Sequence, residues 1–235
     1  YIYENGVYSR RNRNSVKAFI RRYIPLGLAS DNLINNTYNL LLCSDEHICD
    51  FEELNQDEHY INLENGLYNV KTKQLEEHTP KLLSTLQLKC KYEPDNENKP
   101  TFDRFMNDLC RDNEGNIDEE KKAVIQEFTG FILSNVKGYR RKLAMVLLSS
   151  LGNTGKTQYL NLIINFLGRE NVVNVPIQDM NEKSKFSMGS IAGKRLISIG
   201  DQTSSEIKDS AIFKQLTGGA MVKVEEKGKQ PYFTQ

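Results

Sequence analysis

The 235-residue sequence has no surplus of either charge: 31 lysines and arginines meet 31 aspartates and glutamates. Whole-chain electrostatics therefore single out no polyanionic partner, and only local patches can. No apolar run approaches the roughly 20 residues of a membrane-spanning helix, and the first residues lack a charged-then-apolar signal pattern. A helical membrane protein and a secreted one are both disfavoured. The cysteines are few. Cys43, Cys49, Cys90 and Cys110 form no repeated Cys-x-x-Cys spacing, and the Cys43–His47–Cys49 group lacks a second well-spaced pair. They read as scattered reduced thiols of a cytosolic protein rather than as a metal site or a disulfide framework. A composition of 38% hydrophobic and 26% charged residues is that of a globular chain. The sequence opens on Tyr1 and stops at Gln235 within a strand-like run, which suggests a piece of a longer protein.

What the chain does have is a glycine-bearing loop between two patterned segments. Leu143-Ala144-Met145-Val146-Leu147-Leu148 is a short continuous apolar run, which predicts a strand buried on both faces. Leu160, Ile163, Ile164 and Leu167 then recur at helical spacing, with Gly168 as the expected C-terminal cap. Between them lies Gly152-Asn153-Thr154-Gly155-Lys156-Thr157. Strand, loop ending in Gly-Lys-Thr, and helix are the context of a phosphate-binding loop. There, backbone N–H groups and the positive helix end converge on phosphate oxygens. Lys156 would reach the β- and γ-phosphates of ATP, and the Thr157 hydroxyl would coordinate Mg²⁺. Ser150 stands where the strict pattern has its first glycine. An ordinary strand–turn–helix junction is the plain alternative, and the flanking pattern favours nucleotide binding.

A second predicted strand, Arg195 to Gln202, is apolar and ends in a carboxylate. A P-loop enzyme holds Mg²⁺ with an acid at such a tip, and Asp201 suits that role. The next residue is Gln202, an amide that accepts a proton poorly but orients a water by hydrogen bonding. Glu206, one helical turn on, is an alternative base. Beyond a helix over Ile207–Leu216 and Thr217-Gly218-Gly219, residues 221–233 predict two strands around a Lys227-Gly228-Lys229 tip. Lysines on a protruding hairpin suit sequence-independent phosphate contact, or merely keep a turn soluble.

Upstream, Tyr1–Tyr8 and Tyr60–Val70 each alternate around Asn-Gly, a hairpin pattern, with a further reversal at Thr72-Lys73. Ser9 to Arg22 carries Arg10, Arg11, Arg13, Lys17, Arg21 and Arg22 beside an apolar stripe of Val16, Phe19, Ile20 and Tyr23. This basic amphipathic helix is either a phosphate-contacting surface or simply a solvated face. Helices follow around Leu33–Leu42, from a cap at Thr101 through Leu109, and from Asp118 through Leu133. No catalytic constellation surrounds His47, His59 or His78. The expected division is residues 1–137, an α+β module of hairpins and amphipathic helices, and residues 138–235, a P-loop domain.

Three segments in this order carry a resemblance: Gly152–Thr157, the run from Gly193-Lys194-Arg195 to Asp201-Gln202, and Leu216-Thr217-Gly218-Gly219 leading into the lysine hairpin. Together they resemble the primase-helicase proteins of phages and plasmids, whose motor belongs to the superfamily 3 helicases. Ile61–Thr72 and Glu127-Phe128-Thr129-Gly130 are similar to the module preceding that motor, as in the poxvirus primase-helicase. The resemblance implies an α/β fold with an AAA+-like ATPase core, incomplete at the C-terminus. It implies an ATP-dependent DNA helicase of replication that assembles as a ring, usually a hexamer, on single-stranded DNA in a bacterial or phage-infected cytoplasm. It also implies that Lys156, Asp201 and Gln202 serve catalysis and that Lys227 or Lys229 faces the central channel. The alternatives are a nucleotide-binding assembly or DNA-attachment module without turnover and, less well supported, a small-molecule kinase.

Overall fold

The computed structural model describes residues 1–44, 49–50, 53–96, 99–112, 114–136, 142–149, 152–176, 190–191, 193–200, 211–219, 222–224 and 232–234. The chain opens on a hairpin, β1 (Ile2–Glu4) and β2 (Val7–Ser9), with Tyr3 opposite Tyr8. Asn5 and Gly6 both take positive φ, 52° and 83°, the paired left-handed conformation that an Asn-Gly hairpin turn requires. The turn is docked, not free. Asn62 Nδ2 donates to Gly6 O at 2.8 Å and Gln87 Nε2 donates to Asn5 O at 2.9 Å. The Tyr8 N–H also donates to Ser84 O at 2.8 Å.

A three-stranded antiparallel sheet follows in the order β3 (Tyr60–Leu63), β4 (Gly66–Asn69), β5 (Gln74–Glu76). The expected Asn-Gly turn is displaced by one residue. Leu63 pairs with Gly66, so Glu64-Asn65 make the turn and the glycine begins β4. The reason is β5: a Cβ at Gly66 would lie 2.5 Å from Glu76 O. The second reversal is present, with Lys73 at φ 58°.

The helices are α1 (Arg13–Arg22), α2 (Asp31–Leu42), α3 (Pro100–Leu109), α4 (Glu119–Leu133), α5 (Lys156–Leu167) and α6 (Ala211–Gly218). Helix α1 starts later than the sequence pattern predicts, because Ser9 pairs with Ile2 in the hairpin. Asn12 then caps it, its Oδ1 accepting from Ser15 N at 2.8 Å. Thr101 is not the cap of α3: Lys99 occupies that position and Pro100 is the first helical residue, where a fixed φ and a missing N–H cost nothing. Asp118, expected as the first residue of α4, is instead its cap, accepting from Lys121 N at 2.9 Å.

The expected strand at 143–148 is not a strand. Residues 143–149 lie outside every ladder. Their burial nevertheless alternates: Met145 and Leu147 pack against the core while Val146 and Leu148 are 73% and 86% exposed. An apolar run becomes a doubly buried strand only when neighbours hydrogen-bond to both of its edges. Here the one parallel pair of strands among the described residues, β6 (Val172–Asn174) with β7 (Leu196–Ser198), forms a two-stranded sheet by itself. The fold is thus mixed α/β with small sheets, and the AAA+-like parallel core is not evident among the described residues. Strands β8 (Val222–Val224) and β9 (Tyr232–Thr234) form the expected terminal antiparallel pair.

The main core joins both halves of the sequence. Leu63 and Leu88 meet Met106, Leu109 and Cys110 of the α3 region, Ile125 and Ile132 of α4, and Tyr159, Ile163 and Leu167 of α5. A smaller cluster gathers Val173, Val175, Ile191, Ile197, Ile199 and Leu216. Helix α5 is thereby anchored from below by upstream residues, which leaves its first turn as the part that faces outward.

Candidate nucleotide-binding loop

The loop before α5 has the conformation its glycines permit. Asn153 and Gly155 take φ of 56° and 85°, and an asparagine tolerates the left-handed region better than most residues. Gly155 is the N-cap of α5, so no side chain satisfies the first N–H groups of the helix, and no acidic residue occupies its first turn. The positive end of the helix dipole is therefore compensated neither by the cap residue nor by the first turn. Gly155 also rests on α3: a Cβ there would lie 3.4 Å from Leu109 Cδ1 and 3.6 Å from Phe105 Cε2. Nothing crowds Gly152 within 4 Å.

Lys156 folds back over the loop, its Nζ donating to Thr154 Oγ1 at 2.9 Å. The ammonium, the first N–H groups of α5, which the cap residue leaves free of a side-chain acceptor, and the exposed Thr157 thus lie at one helix end. Such a set can hold an anion with several oxygens, and its lysine is already close to where the charge would sit. Of the predicted site residues, the structure brings together Gly152, Asn153, Thr154, Gly155, Lys156 and Thr157. Asp201, Gln202, Lys227 and Lys229, with Ser150 and Glu206, lie outside the described residues.

The support beneath this loop escaped the sequence. One turn into α5, the buried Tyr159 hydroxyl meets Thr129 Oγ1 at 2.8 Å, and burial raises its pKa. Lys89 reaches Glu170 just past the helix, at 3.2 Å. Arg195 is the larger surprise. From the start of β7 its guanidinium donates to the carbonyls of Phe131 and Ile132 at 3.0 and 2.8 Å, to Val136 O at 3.2 Å, and to Ser134 O. It closes the C-terminal end of α4, where unpaired carbonyls and the negative dipole end favour a cation. Burial lowers its pKa to about 10, so it stays charged at neutral pH. Its partners are backbone groups some sixty positions upstream, and backbone acceptors leave no residue-type signature in a sequence.

His78, Cys90 and Cys110 serve the fold. His78 Nε2 lies 2.8 Å from Leu63 O and 3.1 Å from Asn62 Oδ1, whose own amide nitrogen donates to Gly6 O. Both His78 partners are acceptors, so Nε2 carries the hydrogen. Burial raises the thiol pKa of Cys90 and of Cys110, the latter fully enclosed in the core. Among the described residues no helix is long and apolar enough to cross a membrane.

Comparison with known proteins finds two matched segments. Residues 147–235, which contain the loop, match a family of unknown function, DUF5906. No curated protein matches the chain. Residues 5–111 match the family described as D5 N terminal like, an N-terminal module found in the primase-helicase proteins of phages and plasmids, which ties this chain at that coarse level to replication-related proteins.

Proposed function

We propose that the chain carries the nucleotide-binding part of an ATP-dependent DNA helicase of replication, preceded by its D5-type module. The observation that supports this most is the start of α5: a left-handed glycine cap, no acid in the first turn, and Lys156 held over the loop by Thr154. These residues fit a triphosphate. Gly152–Gly155 and the first α5 amides would bind the phosphate oxygens, Lys156 would neutralise the β- and γ-phosphates, and Thr157 with Asp201 would hold Mg²⁺. The bound metal and phosphates would supply charge neutralisation for transfer of the terminal phosphoryl group to water. Gln202 would orient that water. Lys227 and Lys229 would contact single-stranded DNA within a ring of identical chains.

Calorimetric titration with ATP and Mg²⁺ tests the reading. Lys156→Ala should weaken binding at least about tenfold, since the lysine's charge-assisted hydrogen bonds are each worth roughly 1.5–3 kcal/mol. Unchanged affinity would remove the assigned role. Gln202 in place of a carboxylate supports a second reading, a nucleotide-binding assembly module without turnover. ATP binding with no phosphate release, even with single-stranded DNA added, would favour that module over the helicase.

A further inference from the structure

The loop and the lysine hairpin leave the opening fifth of the chain without a role, and it carries a local excess of positive charge. Residues 1–42 contain Arg10, Arg11, Arg13, Lys17, Arg21 and Arg22 against only Glu4 and Asp31, whereas the rest of the chain is net acidic. Glu4 takes up two of these cations, Arg11 at 2.8 Å and Arg22 at 3.4 Å. Arg10 lies before the helix; within α1, Arg13, Lys17 and Arg21 remain. They follow one another at four-residue intervals, so they form a single row along α1 with a rise of about 6 Å per step.

Helix α2 holds this row in place without neutralising it. The Tyr38 ring sits under both Arg13, 5.3 Å from its centroid, and Lys17, 5.8 Å from it. Lys17 Nζ donates to Asn35 Oδ1, and Arg21 donates to Ile24 O at 3.1 Å. These partners are a ring face, an amide and a carbonyl, none of which carries charge. No ion pair of Arg13, Lys17 or Arg21 with a carboxylate occurs among the described residues. Between the helices opens a groove of about 420 Å³ lined by Lys17, Ala18, Arg21, Asp31, Ile34 and Asn35, in which Asp31 is the one acid. The exposed Asn32, Asn36 and Asn39 extend the amide surface of α2. Helix α1 buries only Ile20 and α2 buries nothing, so both faces stay open to a large ligand.

We propose that the α1–α2 hairpin is a binding surface for the phosphate backbone of single-stranded nucleic acid, distinct from the loop and from the lysine hairpin. A row of pre-positioned cations, paired with no carboxylate among the described residues and set beside side-chain amides, suits a polyanion with regularly spaced charges, and one row serves one strand. Membrane attachment would call for apolar residues along the same row, whereas Arg13, Lys17 and Arg21 occupy it. The proposal requires no nucleotide and no chemistry at Lys156.

The test is fluorescence anisotropy of a labelled oligothymidylate against the whole 235-residue chain over a salt series, without ATP. Binding should show a salt slope that the combined Arg13→Gln, Lys17→Gln and Arg21→Gln substitutions flatten by about 2, since each phosphate contact on a single strand contributes roughly 0.7. Affinity at low salt should fall about tenfold or more. The same difference should persist in a Lys227→Ala, Lys229→Ala background and in Lys156→Ala, which separates it from the proposed motor. Because Lys17 also packs against Tyr38, Asn39→Glu provides a second arm. It adds a carboxylate one turn beyond Asn35, leaves every α1 cation in place, and should likewise weaken binding. An unaltered slope in both variants would overturn the proposal, as would displacement of the oligothymidylate by duplex DNA at equal nucleotide concentration.

Discussion

Replacing Arg195 by methionine tests how the strand leading to Asp201 is held against the upstream helix. The substitution keeps the length of the side chain and most of its apolar contact but deletes every donor. Four carbonyls at and just past the end of α4, those of Phe131, Ile132, Ser134 and Val136, then lose the guanidinium, though Phe131 O keeps the Ser134 hydroxyl, which donates to it at 2.9 Å. An unsatisfied buried acceptor costs about 1–3 kcal/mol, and a hydrogen bond from a charged donor contributes about 1.5–3. The four are not additive, because one guanidinium makes them all, and methionine also removes the cost of burying the charge. The net loss should be about 3 kcal/mol. With a urea slope of about 2–3 kcal/mol/M for a protein of this size, the midpoint falls by roughly 1 M. Arg195→Lys, with a single ammonium in place of the planar fork, should recover part of that. Amide hydrogen exchange across β7 should quicken in the methionine variant, since that strand would lose its tie to α4. The guanidinium's pKa is about 10 in the fold, so the loss should be the same throughout neutral pH. A methionine variant within about 0.5 kcal/mol of the unaltered chain would refute the reasoning, because it would mean that water satisfies those carbonyls equally well.

Gly6→Ala places a Cβ 2.5 Å from the His78 ring at a φ of 83°. Clash and strain together predict a loss of about 2–4 kcal/mol by chemical denaturation, with the clash part recovered when His78→Ala is combined with it. Glu170 has its pKa lowered first by its own backbone N–H and then by Lys89. A depressed carboxyl pKa stabilises the fold above the unfolded value of 4.5 and loses that contribution as pH falls through the folded value. The side chain is 60% exposed, so Glu170→Gln should remove at most about 0.5 kcal/mol at neutral pH and flatten the acid side of the stability profile. A profile as steep as that of the unaltered chain would count against the pairing.

Local chemistry was legible in this sequence wherever one residue decides a conformation. Asn5-Gly6 specified a left-handed turn, Asp118 marked the start of α4, and Gly155 and Gly168 bracketed α5 as the periodicity of Leu160, Ile163 and Leu167 suggested. The misreadings occurred where a neighbour decides. Gly66 is pushed from turn to strand by the closeness of β5, Pro100 pre-empts Thr101 because it suits the first helical position, and the 143–148 run finds no strand to pair with. The loop side of the candidate site was readable because its backbone requirements select glycine and lysine. Its support was not, since Arg195 answers carbonyls, Tyr159 answers one hydroxyl of Thr129, and neither need is written in a residue pattern.

The apolar cluster beneath α5 has a consequence for how such chains diversify. Ile163 and Leu167, almost wholly enclosed, rest on side chains contributed from as far back as Leu63. An exchange that brought in a foreign loop-bearing segment would deliver a helix shaped for a different underside, leaving voids or overlaps against Leu88, Leu109 and Ile125. Upstream and downstream segments are thus expected to travel between genomes as matched pairs, and a hybrid spliced after α4 should regain solubility only when residues of the receiving surface are changed along with the graft.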